Sequence, residues 1–214
     1  MVFGTLYTHS PNPRSATILA LAKANGLELD IVYAEKKNND GYEQLCRYNS
    51  LGQVPTFVRA DGYILSECIP LTLYCTLPYS PTRDYYDILK WMSFANSDLF
   101  LAVGGVFLPL IGQRQIIRQD ADDSLRFMLH RCQHLEHRLQ SWQYLVGERI
   151  TVADFFTASM LMGAYAAFRG EMEERFPAVT RWYDEVFSVP WFKEAVDGLP
   201  NLGLSLPDVE ANGE

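Results

Sequence analysis

The run Thr56-Phe57-Val58 suits a strand, yet the residue that opens it is Pro55. Proline has no N–H to give to a ladder, so it is confined to a strand's first residue, an edge or a bulge. A second apolar run, Tyr63 to Ser66, follows Asp61-Gly62, a dipeptide suited to a two-residue type I′ hairpin turn. The chain therefore contains a hairpin whose first strand begins on a proline. Its flanks extend the pattern. FGTLY (3–7) reads as a strand, and PRSATILALAKANG (13–26) as a helix with Gly26 as its C′ stop. LDIVYA (29–34) reads as a strand, the polar and poorly periodic stretch 35–49 as a loop with a short irregular helix, and ECIPLTLYCTL (67–77) as a helix. The order is β-α-β-α-β-β-α.

A Pro-rich segment then breaks the pattern, and everything beyond it is helical. Residues 84–103 form a long apolar helix, and Leu125, Met128, Leu129, Cys132, Leu135 and Leu139 share one stripe of another. Thr151 and Asp154 have capping-box spacing, with Ile150 and Phe155 placed as a hydrophobic staple. Two further helices open on Pro177 and Pro190. An α/β half followed by an all-α half predicts two domains, 1–78 and 86–198, with a linker at 79–85 and a flexible tail at 199–214.

Composition narrows the partners. Eighteen basic against 26 acidic residues give a net charge of −8 with no basic run, so binding to nucleic acid would lack its main electrostatic term. No run of 18 apolar residues occurs, and no membrane-spanning helix is expected. The N-terminus lacks a secretion signal, and Cys46, Cys68, Cys75 and Cys132 show neither CxxC nor zinc spacing. A cytoplasmic location is expected.

Together these features resemble the glutathione transferases. The order of elements is that of their thioredoxin-like domain. LGQVPTF (51–57) looks like their motif in which the proline is cis, ILSECIPL (64–71) is similar to their Leu-x-Glu-Ser-x-Ala-Ile segment, and the Thr-x-x-Asp box matches their helical second domain. GTLYT (4–8), FANSDL (94–99) and FPAVTRWY (176–183) resemble, more closely, the transferase-like domain of translation elongation factor 1B gamma, fungal sequences especially. That subunit carries a Lys-rich linker and a further domain, and this chain ends at Glu214 without either, so a stand-alone transferase of the kind found in fungal secondary metabolism is expected. The resemblance implies an α/β thioredoxin-like domain plus an all-α domain, glutathione as co-substrate, and a homodimer. It also implies that the Val54 backbone, exposed by a cis Pro55, pairs with the cysteinyl part of glutathione as an added strand would.

Where thioredoxins carry CxxC, this chain has Ser10-Pro11-Asn12-Pro13, which excludes a redox disulfide there. The remaining task is to hold another molecule's thiol as thiolate. A free thiol has a pKa of about 8.5, and lowering it to ~6.5 takes about 2.7 kcal/mol of selective stabilisation. One hydrogen bond to a charged acceptor contributes about 1.5–3 kcal/mol. A single donor at the start of the first helix suffices. Three compete: Ser10, with the Ser-x-x-x-Arg-Ser spacing of serine-type enzymes; Asn12, matching the Pro-Asn of asparagine-type enzymes; and Tyr7, at the strand's end as in tyrosine-type enzymes. Each has a structural alternative, helix capping for Ser10 or Asn12 and core packing for Tyr7.

By the same resemblance Glu67 receives the γ-glutamyl ammonium and Gln53 gives a donor to the glycine end. The family's serine is replaced by Cys68, a weak donor, and Pro70 removes a nearby N–H, so Ser66 or helix-start N–H groups would hold the carboxylate. Trp91, Phe94, Asp98 and Leu101 recur on one helix face, either as a pocket for a small apolar electrophile or as core with one buried, paired carboxylate. His130, His134 and His137 span about 10 Å at ~1.5 Å per residue, too far for one ion, and read as a solvated face. The expected chemistry is thiolate attack on the electrophile. Two alternatives stay open: double-bond isomerisation through the same thiolate addition, and a non-catalytic scaffold.

Overall fold

The computed structural model describes residues 2–35, 39–76, 83–115, 118–196 and 199–206. The chain divides into two units, Met1–Pro81 with Ser188–Asp197, and Thr82–Phe187 with Gly198–Glu214. Most of the expected linker, up to residue 82, lies outside the described residues.

The first unit is the expected thioredoxin-like arrangement. Strands β1 (Gly4–Thr8), β2 (Leu29–Tyr33), β3 (Thr56–Val58) and β4 (Ile64–Ser66) form one sheet in the order β2-β1-β3-β4. β1 runs parallel to β2, and β3 is antiparallel to both β1 and β4. Phe57 fills the space beside Gly4, where a Cβ would collide with its ring. Helices α1 (Pro13–Ala24), α2 (Asn39–Tyr48) and α3 (Cys68–Tyr74) complete the repeat. α1 stops where the sequence places the stop, with Gly26 at φ +66°.

Three local expectations change. The hairpin closes through three residues, Ala60-Asp61-Gly62. Gly62 N–H donates to Arg59 O, Arg59 N–H to Tyr63 O, and only Gly62 takes a positive φ. A type I′ turn needs left-handed backbone at both central residues. The stretch read as a loop with an irregular helix is the ten-residue α2. Its inward face is Gly41 and Leu45, and a Cβ on Gly41 would collide with the Tyr33 carbonyl. Glycine carries no apolar signal, which hides the helical period. Finally, α10 (Pro190–Ala195) belongs to the first unit. It packs along α1, and Lys23 Nζ meets Glu194 Oε2 at 2.9 Å.

The second unit is all helical: α4 (Arg83–Phe94), a π-turn (Ala95–Leu99), α5 (Phe100–Leu110), α6 (Arg118–Ser141), α7 (Val152–Met160), α8 (Met162–Arg175) and α9 (Pro177–Ser188). The stretch Arg83–Leu110 is long and apolar enough to cross a membrane by length and composition alone. Ile88, Met92, Ala95, Leu99 and Val106 recur at helical spacing on its buried face, as in a core helix. The predicted stripe of α6 is buried at Leu125, Met128, Cys132, Leu135 and Leu139 and half-buried at Leu129.

Two buried carboxylates organise this unit. Asp154 closes the capping box on α7, accepting from the Thr151 N–H (2.8 Å) and hydroxyl (2.9 Å). It also accepts from Leu145 N–H and Trp182 Nε1, both at 2.9 Å. Glu136 caps α9 from a distance in sequence, accepting from Ala178 N–H at 3.1 Å and Val179 N–H at 2.9 Å. Its position on α6 gave no sequence signal for that role.

The tail expected to be flexible from 199 is tied down as far as it is described. α8 departs from helical geometry at Phe168 (φ −128°, ψ 38°). The carbonyls of Ala166 and Ala167 accept from Leu202 N–H (2.7 Å) and Leu204 N–H (2.9 Å). Segment 199–206 thus serves as a strap that satisfies backbone acceptors at the helix kink.

Asp154→Ala leaves the Leu145, Thr151 and Trp182 donors without their acceptor, and at ~1–3 kcal/mol for each buried unsatisfied group a loss of at least about 3 kcal/mol is expected from urea unfolding. A chain ending at residue 198 should melt about 2–6 °C lower. In the full chain, hydrogen exchange should be slower at the Leu202 and Leu204 amides than at Asn201.

Candidate functional site

The sheet register decides where the candidate residues meet. Tyr7 pairs with Thr56, and Thr56 with Ser66, forming one row across three strands. Because β3 runs opposite to its neighbours, the ends of β1 and β4 and the start of β3 lie on the same sheet edge. From that edge emerge Ser10 to Asn12, Gln53 to Pro55, and Ser66 to Cys68. Eight sequence-predicted positions, Ser10, Asn12, Gln53, Val54, Pro55, Ser66, Glu67 and Cys68, are thereby neighbours in topology.

Val54–Pro55 is cis, as the motif implies, and so is Ser10–Pro11, which was not expected. The β1–β3 ladder starts at Thr56. Among the described residues neither the N–H nor the C=O of Val54 is taken up by another backbone group. The loop before it is held by side chains that the sequence did not single out. Asn49 Nδ2 donates to Thr56 Oγ1 (3.0 Å), and Thr56 Oγ1 donates to Gln53 O (2.8 Å). The Gln53 side chain is exposed.

Glu67 joins β4 to α3 with φ 74° and ψ 132°, and it is the single non-glycine residue with positive φ among the described residues. Such backbone costs about 1–3 kcal/mol and persists where the surroundings over-determine it, often at functional sites. The Glu67 carboxylate makes no capping bond to α3 and is exposed. Ser66 is half-buried, whereas Cys68 is buried, and burial pushes its thiol up.

The three thiolate-donor candidates separate. Asn12 is the N-cap of α1. Its Oδ1 accepts from Arg14 N–H at 3.0 Å, and its Nδ2 lies 3.4 Å from Thr8 Oγ1. Thr8, buried and not singled out by the sequence, donates to Ser15 Oγ at 2.7 Å and ties the strand's end to the helix. Tyr7 is buried against Ala34 and Leu45, and burial, then the neighbouring Tyr48, pushes its phenol up. Ser10 is exposed, and among the described residues its hydroxyl has no partner.

The expected face of the long helix divides. Trp91 is buried, Phe94 is half-buried, and Leu101 is 61% exposed. Asp98 is not the buried carboxylate of the core alternative. It is exposed and lies 3.6 Å from Arg131. The histidine face is exposed at His130, His134 and His137, as expected, and the His134 ring also lies against Trp91 (5.4 Å) and Phe94 (5.3 Å). Among the described residues no cluster of three or more His, Cys, Asp or Glu could hold a metal ion. A surface pocket of about 300 Å³, lined by Val2, Phe3, Leu27, Glu28, Arg59 and Asp61, lies at the opposite end of β1 from Ser10.

The family description "Glutathione S-transferase, N-terminal domain" matches residues 3–69, and "Glutathione S-transferase, C-terminal domain" matches 101–190. The chain is 64% identical to glutathione S-transferase mdpJ of Emericella nidulans over 96% of both chains. It is 40% identical to glutathione S-transferase stcT of the same organism, over 94% of this chain and 90% of that one. The GST-like domain of elongation factor 1-gamma from Saccharomyces cerevisiae superposes with a TM-score of 0.78 at 27% identity, covering 97% of this chain and all of that one.

The cysteines give a check on this arrangement. Cys46 is exposed, while Cys68, Cys75 and Cys132 are buried, with burial raising Cys75 to about 11 and Cys132 to about 12. A disulfide reagent should modify one thiol in the native protein and all four after unfolding.

Proposed function

This chain belongs to the glutathione S-transferase family, and from that premise we propose that it binds glutathione in its first unit and activates the thiol for attack on a small apolar electrophile. The observation that carries the reading is the Tyr7–Thr56–Ser66 row, which gathers Ser10, the Val54 backbone and Glu67 at one sheet edge. Val54 offers its N–H and C=O to the cysteinyl part. Glu67 receives the ammonium, and Gln53 donates to the glycine end.

Ser10 is the donor to the thiolate. Its hydroxyl is exposed beside the start of α1, whereas Asn12 Oδ1 caps that helix, Asn12 Nδ2 donates to Thr8 Oγ1, and Tyr7 serves the core. The second amide hydrogen of Asn12 makes it the next choice. A thiolate accepting one hydrogen bond from Ser10 Oγ, close to the positive end of a 12-residue helix, gains about 2–4 kcal/mol over the neutral thiol. That covers the ~2.7 kcal/mol needed to bring the pKa near 6.5.

The apolar side chains Phe94 and Leu101 are offered to the electrophile, with Asp98 held by Arg131. Conjugation is the step proposed, in which the sulfur lone pair forms the new bond and the electrophile expels its leaving group or takes up a proton. Isomerisation shares the addition and differs only in expelling the thiolate again. A homodimer, a cytoplasmic location and a role in fungal secondary metabolism complete the proposal. The scaffold alternative is favoured by one feature, a buried Cys68 where the family has serine. Calorimetry separates them, because a scaffold shows no heat of binding at several millimolar glutathione.

Ser10→Ala should raise the pKa of the bound thiol by about one to two units, at ~1.36 kcal/mol each, with little change in glutathione affinity. The rate near neutral pH should fall about tenfold or more, and recover in part at alkaline pH, where the thiol ionises unaided. Titration of the thiolate's ultraviolet absorbance reads this directly. A curve unmoved by Ser10→Ala but shifted by Asn12→Ala or Tyr7→Phe would reassign the donor.

A further inference from the structure

The Val54 N–H serves an added strand only if its peptide plane faces the open sheet edge. The loop that sets this plane is built around one residue. Asn49 closes α2, its N–H donating to Leu45 O at 2.8 Å. Its backbone carbonyl accepts from Gly52 N–H at 2.8 Å, and its Oδ1 accepts from Leu51 N–H at 3.1 Å. Its Nδ2 donates to Thr56 Oγ1 at 3.0 Å and to Gln53 O at 3.3 Å. Thr56, fully buried on β3, donates its hydroxyl to the same Gln53 carbonyl at 2.8 Å.

Two donors from different elements thus converge on one carbonyl, and that carbonyl shares a peptide plane with the Val54 N–H. The Gln53–Val54 bond is trans. In a trans peptide the C=O and the N–H point in opposite directions. Turning Gln53 O toward Thr56 therefore turns the Val54 N–H away from it, and among the described residues no backbone group takes that N–H up. A hydroxyl has a single proton. The Asn49 amide occupies the acceptor side of Thr56 Oγ1, which fixes the direction in which that proton points.

We propose that Asn49 and Thr56 are positioning residues for glutathione: through the Gln53 carbonyl they lock the peptide plane that aims the Val54 N–H at the cysteinyl part. The lock rests on the glutathione-binding reading above and deepens it. It divides the work of the site, since Asn49 and Thr56 set how well the cysteinyl backbone is held, whereas Ser10 sets the ionisation of its thiol.

Thr56→Val keeps the shape of the side chain and removes the proton. It should weaken glutathione binding about tenfold in calorimetry, the equivalent of one hydrogen bond. The ultraviolet titration of the bound thiol should not move. Thr56→Ser, which keeps the hydroxyl, should recover most of the affinity. Asn49→Asp keeps the acceptor for Leu51 N–H and replaces the donor by a carboxylate, to which the Thr56 proton turns. Affinity should fall by a similar factor, and this variant serves if Thr56→Val does not fold. The plane itself is read without ligand from the residual dipolar coupling of the Val54 N–H, which should change in Thr56→Val and Asn49→Asp and return in Thr56→Ser. A merely structural pair predicts a lower melting temperature with that coupling and the glutathione affinity unchanged. That result overturns the lock and leaves glutathione binding intact. Lost affinity together with a shifted thiol titration also overturns the lock, because the disturbance then extends to the thiol's own partner. Failure of the wild-type protein to bind glutathione overturns both.

Discussion

The candidate site depends on one constraint, the antiparallel pairing of β3 with β1 on one side and β4 on the other. A strand that enters the sheet in the opposite sense delivers its beginning where its neighbours deliver their ends. Three segments far apart in sequence therefore emerge at one edge, each carrying a different chemical capability: hydroxyl and amide groups at residues 10–12, the backbone of Val54, and a carboxylate at Glu67. The same pairing makes β1 and β4 parallel, which starts α1 and α3 side by side. Thr8, Asn12 and Ser15 then lock the first of these helices to its strand.

The helical unit is organised differently. Apolar stripes supply most of its burial, yet its connections are fixed by two carboxylates taken out of water. Asp154 gathers donors from α7, the preceding loop and Trp182, and Glu136 covers the orphan N–H groups at the start of α9. Buried carboxylates are tolerated only when their acceptor capacity is filled, and here the acceptors go to groups that helix ends and loop turns would otherwise leave unsatisfied. The 199–206 strap follows the same logic from the other side, bringing donors to carbonyls at a kinked helix.

Glu67 is where fold and chemistry meet. Its left-handed backbone costs free energy that a glycine would not, and glycine would remove the carboxylate. Retaining a charged side chain in that conformation is the pattern expected where position matters more than local stability. The buried thiol one residue later changes the donor set rather than the architecture.

Much of this was legible in the sequence, because it rests on local rules. Pro55 announced the start of a strand, Gly26 the end of α1, the Thr151–Asp154 spacing the start of α7, and the 3.6-residue stripe of α6 its buried face. Their physical causes act over four or five residues, so one segment is enough to read them. α2 escaped because its contact residue is a glycine, and the hairpin loop gained a residue because only Gly62 takes the left-handed conformation. Three things were decided by tertiary structure alone. Tyr7 became a core residue once α2 had packed against β1. Glu136 became the cap of a helix 41 residues later, and residues 199–206 became a strap on α8. In each case the partner is a backbone or side-chain group that no local pattern names, and only the packed chain brings the two into contact.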